Sequence, residues 1–170
     1  MRRNAIQLSR RHKAVLYLST LAIFASGAAW GWLHYFAVKQ GEFGPEFSPW
    51  EPLMLKVHGA AAMVSMLVLG SLLTVHVKKG WQAGLNVKSG AGLLSIFGFL
   101  IATGYALYYI ADEHYRGLMS NGHLWVGLGL PFVLIGHVVL GHRIRHRLHR
   151  ERRIAAASPP PAPVSDQAGA

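Results

Sequence analysis

Cysteine is absent from this chain of 170 residues. Its absence excludes disulfide bridges, cysteine-ligated iron–sulfur clusters and covalent c-type haem attachment, so any redox centre must rest on other ligands. Acidic residues are also scarce, with seven Asp and Glu against seventeen Lys and Arg. None of the seven falls within the long apolar stretches, which removes the intramembrane carboxylates on which many proton and cation relays depend. Charged residues make up only 14% of the chain and apolar ones 52%, a membrane composition for one domain. No nucleotide-binding motif accompanies it.

Four apolar runs are present, roughly residues 14–38, 53–77, 89–111 and 123–141. Crossing the hydrocarbon core takes about 20 helical residues, so each run is long enough to cross once. The expected fold class is all-α: a polytopic membrane protein, an up-and-down bundle of four transmembrane helices spanning 14–153. A basic segment, 1–13, precedes it. The Ala- and Pro-rich end, 154–170, has nothing to bury and is expected to be disordered. Small residues at Ala25 to Ala29 could suggest a cleaved signal, but the first run continues through Trp30, Trp32, Tyr35 and Phe36, and an uncleaved anchor is the better reading.

The placement of charge decides what the +10 net charge means. Fourteen basic residues fall on the side of the two termini and the 78–88 loop, and three (Lys39, Lys56, Arg116) on the other side, which carries Glu42, Glu46, Glu51, Asp112 and Glu113. This positive-inside signature puts both termini in the cytoplasm, in contact with membrane lipid, and accounts for the charge without nucleic acid. The bacterial cytoplasmic (inner) membrane is the expected location. The loop 39–52, rich in Pro, Gly and aromatics, suits an interfacial segment that serves either as a connector or as a partner-docking surface.

Histidine is what the apolar runs do contain. His58 and His76 are 18 residues apart, about five whole turns and roughly 27 Å of rise; His123 and His137 are 14 apart, about 40° short of whole turns and roughly 21 Å. Each pair therefore shares a helix face. The second and fourth helices run in the same direction, so His58 and His123 sit near the outer leaflet and His76 and His137 near the inner. An iron with two axial imidazoles needs opposed histidines at one depth, which facing helices of a bundle supply. The two intervals leave a mismatch of about 6 Å, so one pair must be staggered or a helix tilted. His142 is the rival inner ligand, better in depth but about 100° round the helix.

Other histidines have simpler readings. His34 and His114 suit an interfacial belt, although His34 or His12 could replace one of the ligands, and His142, His146 and His149 lie among arginines that repel a cation. Thr74, Ser65, Ser95 and Thr103 are candidates to hold the second imidazole nitrogen. Lys56, Arg116 and Asn121 on the outer side, and Lys78 and Arg143 on the inner, are candidates for anionic propionates. Glycines in the spans, among them Gly59, Gly70, Gly90, Gly98, Gly104 and Gly127, allow close helix approach and clear room beside a helix for a flat ring.

The segments KVHGAAAMVSMLVLGSLLTVHVKKGW, TGYALYY and NGHLWVGLGLPFVLIGHVVLGHR resemble small bacterial four-helix b-type cytochromes, similar to the cytochrome b subunits of membrane-bound formate dehydrogenases and nickel–iron hydrogenases. The resemblance covers about residues 14–145. It implies two haem b groups, held by His58, His76, His123 and His137, and electron exchange between a quinone and a redox partner subunit. In that family the remaining ligands come from different early helices, whereas here one helix offers both His58 and His76. An electron-transfer subunit rather than a catalyst in its own right is expected. The competing expectation is a haem-free transporter or assembly factor whose histidines relay protons or bind a transition metal.

Overall fold

The computed structural model describes residues 9–157. Residues 1–8 of the basic segment and 158–170 of the tail lie outside the described residues. Helix α1 spans Arg10–Phe36 and starts where Ser9 caps it, the hydroxyl accepting the His12 N–H at 3.2 Å. Helix α2 covers Glu51–Leu72, with Pro52 in its first turn, where a missing N–H leaves no hydrogen bond unmade. It continues without a break through a π turn, Leu73–Val77, into the short α3, Lys78–Gln82. Helix α4 is Val87–Ala106 and α5 is Glu113–Ala157. The α2–α3 rod and the other three helices are each long and apolar enough to cross a membrane.

Two boundaries differ from the expectation. The 39–52 loop contains a hairpin, β1 Lys39–Gly41 and β2 Gly44–Glu46, paired antiparallel with Lys39 opposite Glu46. The protein is thus all-α apart from this small ribbon, which forms because Gly44 takes a positive φ of 119° at the turn. Helix α5 also runs on through Ala157, past the expected end of order at residue 154. The sequence 154–157 is Ile-Ala-Ala-Ala, good helix-forming residues that extend an existing helix at little cost.

Burial is inverted relative to a water-soluble bundle. Leu21, Met63, Leu67, Phe132 and Ile135 are all more than 60% exposed on the outer surface. Apolar area in water costs about 25 cal/mol per Å², so such a surface belongs in lipid, and the fold is that of a multi-pass membrane protein. Inside, the buried residues are small and polar as often as apolar: Ser19, Thr20, Ser26, Ser65 and Thr103 beside Val68, Leu72, Phe97, Leu130 and Leu134. Small residues let membrane helices approach, and their hydroxyls mostly bond back to carbonyls a turn earlier, as Ser26 does to Ala22 at 2.6 Å.

The main helix pairings are α1 with α2, α4 with α5, and α1 with α5. Helices α2 and α5 are not among these main pairings.

Candidate functional site

Two ring contacts join the α2–α3 rod to α5, and both are histidine on histidine. His58 and His123 have ring centres 6.0 Å apart with planes at 74°; His76 and His137 are 6.4 Å apart at 78°. The structure thus brings together all four histidines expected to form the site, in two levels. His142 lines the cavity beside the inner pair, but His137 is the residue whose ring meets that of His76.

A π turn at the end of α2 takes up a small part of the expected 6 Å mismatch. In Leu73–Val77 the backbone bonds run i→i+5, as from the Lys78 N–H to the Leu73 carbonyl. A wider turn holds more residues, so it rises less per residue and turns the chain less. His76 lies inside this segment, so its rotation and depth on the helix differ slightly from those of an unbroken α-helix.

Each of three imidazoles is held at Nδ1. His58 Nδ1 lies 3.0 Å from the Ile23 carbonyl, an acceptor only, so this nitrogen carries the proton and donates it; Ser26 Oγ lies 3.2 Å away. His123 Nδ1 is 2.9 Å from Thr103 Oγ1, whose own proton goes to the Phe99 carbonyl at 2.8 Å. His137 Nδ1 is 2.9 Å from Ser89 Oγ, which donates to Asn86 Oδ1 at 2.6 Å. Both hydroxyls have spent their hydrogen elsewhere, and each accepts from the ring. The tautomer is therefore Nδ1–H at His58 and His123, leaving Nε2 with its lone pair available as a metal ligand; at His137 the Asn86 amide nitrogen, a donor, also lies 3.3 Å from Nδ1.

Local backbone geometry places these partners. Asn86 caps α4 with a φ of 56°, a left-handed conformation that asparagine tolerates, after a turn in which Gly84 has a φ of 62°. Its amide also donates to the His137 carbonyl at 3.1 Å, tying the inner turn to α5. Glycines back the rings. A Cβ on Gly27 would lie 3.2 Å from His58 Cε1, one on Gly104 3.2 Å from His123 Cε1, and one on Gly90 3.6 Å from His137 Cε1. Three glycines thus leave the space that three imidazoles fill.

A cavity of about 210 Å³ opens at the inner level. It is lined largely by apolar side chains of α1, α2, α4 and α5, with His76 and His137 in its wall and Lys13, His142 and Arg145 among its polar residues.

Of the sequence-derived second partners, Thr103 holds an imidazole. Thr74 instead bonds the Ser71 carbonyl at 3.0 Å, Ser95 is exposed, and Ser65 is buried between the two levels with its hydroxyl unpaired. Asn121 accepts a bond from the Tyr35 hydroxyl at 2.8 Å. At the inner cavity the basic groups are Lys13 and Arg145 rather than Lys78 and Arg143, because residues 137, 141 and 145 follow one ridge of α5. Ile23, Ser26, Gly27, Asn86 and Ser89 were not expected. Ser26 and Ser89 did carry a signal, a hydroxyl in or beside an apolar span, but neither lies on a helix that carries one of the four expected ligands. His34 is engaged by Glu51 and His12 by Ser9.

Two axial rings on one iron are expected about 6 Å apart, from metal–nitrogen bonds of about 2 Å and ring centres about 1 Å behind each nitrogen. The observed separations, the available Nε2 atoms and the backing glycines fit such a group at both levels. Among the described residues no three His, Asp or Glu converge as a metal cluster. Paired histidines suit axial ligation better than a transition-metal site, which takes three or four protein donors.

If a haem is held at the outer level, Thr103→Val should weaken its retention about 10- to 100-fold while leaving the inner level intact, the range typical of lost outer-shell partners. Haem loss to apomyoglobin, followed by absorbance, checks it. Ser89→Ala should do the same at the inner level.

No protein-family model matches this chain, and no curated protein or solved structure matches it either.

Proposed function

We propose that this chain is a membrane-embedded dihaem b-type cytochrome, a subunit that passes electrons between the quinone pool and a redox partner. The observation that carries the reading is the pair of inter-ring distances, 6.0 and 6.4 Å, between histidines of the α2–α3 rod and α5. His58 and His123 would hold one haem iron, and His76 and His137 the second. Haem supplies one-electron chemistry that no side chain of this protein offers. The protein's part is to orient Nε2 through the Ile23 carbonyl, Thr103 and Ser89, to exclude water with an apolar wall, and to set Lys13 and Arg145 where anionic substituents of the inner group would reach them. One level near each face makes an electron path across the bilayer. The protein would lie in the bacterial inner membrane with both termini cytoplasmic.

The purified protein, expressed with ample haem, should give a dithionite-reduced minus oxidised spectrum of b type and about two haems per chain by pyridine haemochrome. A protein without haem overturns the reading. The ring planes add a sharper test. At 74° and 78° they are nearly perpendicular, so the ferric form should show highly anisotropic low-spin electron paramagnetic resonance signals, not the rhombic signals of coplanar imidazoles.

Orientation is tested separately. With no native cysteine, Glu42→Cys and Glu151→Cys are single reporters. In intact spheroplasts an impermeant maleimide should label Glu42→Cys and reach Glu151→Cys only after permeabilisation, and the reverse pattern inverts the topology.

A further inference from the structure

A second titratable pair lies above the outer histidines, outside the ligand set. His34 Nδ1 and Glu51 Oε2 are 3.2 Å apart, joining the end of α1 to the start of α2. The imidazole is clamped between two aromatic faces, Trp30 at 4.7 Å and 15° and Phe47 at 5.1 Å and 8°. The Glu51 side chain is only 12% exposed, and its other oxygen, Oε1, is buried without a hydrogen-bond partner. His34 itself is 33% exposed and can meet water.

The register places this pair directly over the outer site. Glu51 precedes His58 by seven residues on α2, and His34 follows Gly27, which backs the His58 ring, by seven on α1. Seven residues are about two turns, so on both helices the pair and the site share a face, roughly 10 Å apart. No other group of this end joins the pair. Lys39, Glu42 and Glu46 of the hairpin region, Lys56 of α2, and Asp112, Glu113, His114 and Arg116 at the start of α5 are all exposed, and none makes an ion pair with His34 or Glu51. Tyr35, whose ring meets His34 edge-on, gives its hydroxyl proton to Asn121.

We propose that His34 and Glu51 form a redox-linked proton-binding site for the outer centre. This rests on the dihaem reading and adds a proton to it. With His34 neutral and donating from Nδ1, the pair carries the single negative charge of Glu51. A proton from the aqueous side bonds to His34 Nε2, giving an imidazolium–carboxylate pair of zero net charge, with Trp30 and Phe47 offering their π faces to the cation. An electron delivered by a hydroquinone to the outer centre adds one negative charge about 10 Å away, and the proton compensates it. A unit charge at that distance changes a proton equilibrium roughly tenfold at an effective dielectric of about 20. Coupling is reciprocal, so proton binding favours reduction of the outer centre by the same factor.

The test is potentiometric titration of the full-length holoprotein between about pH 5 and 9, with wild type, Glu51→Gln and His34→Gln compared. At low pH the pair is protonated in both redox states, and at high pH it retains its negative charge and opposes the electron. One of the two wild-type midpoints should therefore fall with rising pH by about 59 mV in total, the tenfold coupling converted for one electron. The other should stay flat. Both variants should flatten the first midpoint while retaining two haems. A redox-induced infrared difference spectrum should show imidazole bands of His34 that are lost in His34→Gln. A pH-independent pair of midpoints in wild type overturns the proposal, as does a slope that survives in both variants. Failure to bind haem overturns the dihaem reading and this inference together, whereas haem with no slope overturns this inference alone.

Discussion

Replacing His123 with glycine is expected to lower haem content by about half, and soaking the variant in imidazole is expected to restore it. The argument is geometric. His123 is the ring that faces His58 at the outer level, 6.0 Å between ring centres, so its loss leaves the outer site with one axial ligand. The inner pair is some 14 residues along α5, roughly 21 Å, and shares no side-chain contact with His123. Imidazole rescue separates ligand loss from misfolding, since free imidazole replaces the ligand and cannot repair a collapsed bundle. His137→Gly should remove the inner haem in the same way. His142→Ala should remove none; if it does, the inner ligand is His142.

The second large effect requires no change of ligand. Gly27→Val and Gly104→Val are each expected to abolish the outer haem as completely as loss of a histidine. A Cβ at either position already stands 3.2 Å from an imidazole carbon, closer than ordinary contact, and valine adds two methyl groups beyond it. The ring must turn off its Nδ1 partner, the Ile23 carbonyl for His58 or Thr103 for His123. Once turned, Nε2 no longer faces its opposite number. Gly98→Val, with nothing within 4 Å of its Cβ, is the control: it carries the same β-branched change in α4 and should keep both haems. Pyridine haemochrome on the four proteins reads the outcome, and haem retention by Gly27→Val and Gly104→Val would show that the rings do not sit where the structure has them.

Much of this site was legible because it depends on periodicity. Residues 18 apart share a face of an α-helix whatever surrounds them, and one imidazole in an apolar run is costly enough to notice, so His58, His76, His123 and His137 stood out. What the sequence could not show was the π turn. A local change from i→i+4 to i→i+5 bonding leaves no compositional mark in Leu73–Val77, yet it shifts the rotation and depth of His76 on its helix. The hairpin in the 39–52 loop was equally hidden: strands of three residues are too short for a periodic signal.

The sequence by itself determined the class of the chain. Length and hydropathy set four apolar runs long enough to cross, the distribution of fourteen basic residues against three set the expected orientation, and the absence of cysteine excluded thiolate ligands. These follow from one-dimensional properties, transfer free energy and charge, that do not depend on what packs against what. Only the tertiary structure decided the rest. It paired His76 with His137, put the Ile23 carbonyl and Ser26 of α1 behind His58, brought Ser89 and Asn86 of α4 to His137, and closed His34 on Glu51. Each of these contacts joins residues on different elements, and the relative rotation and depth of two helices are set by their packing, not by either sequence alone.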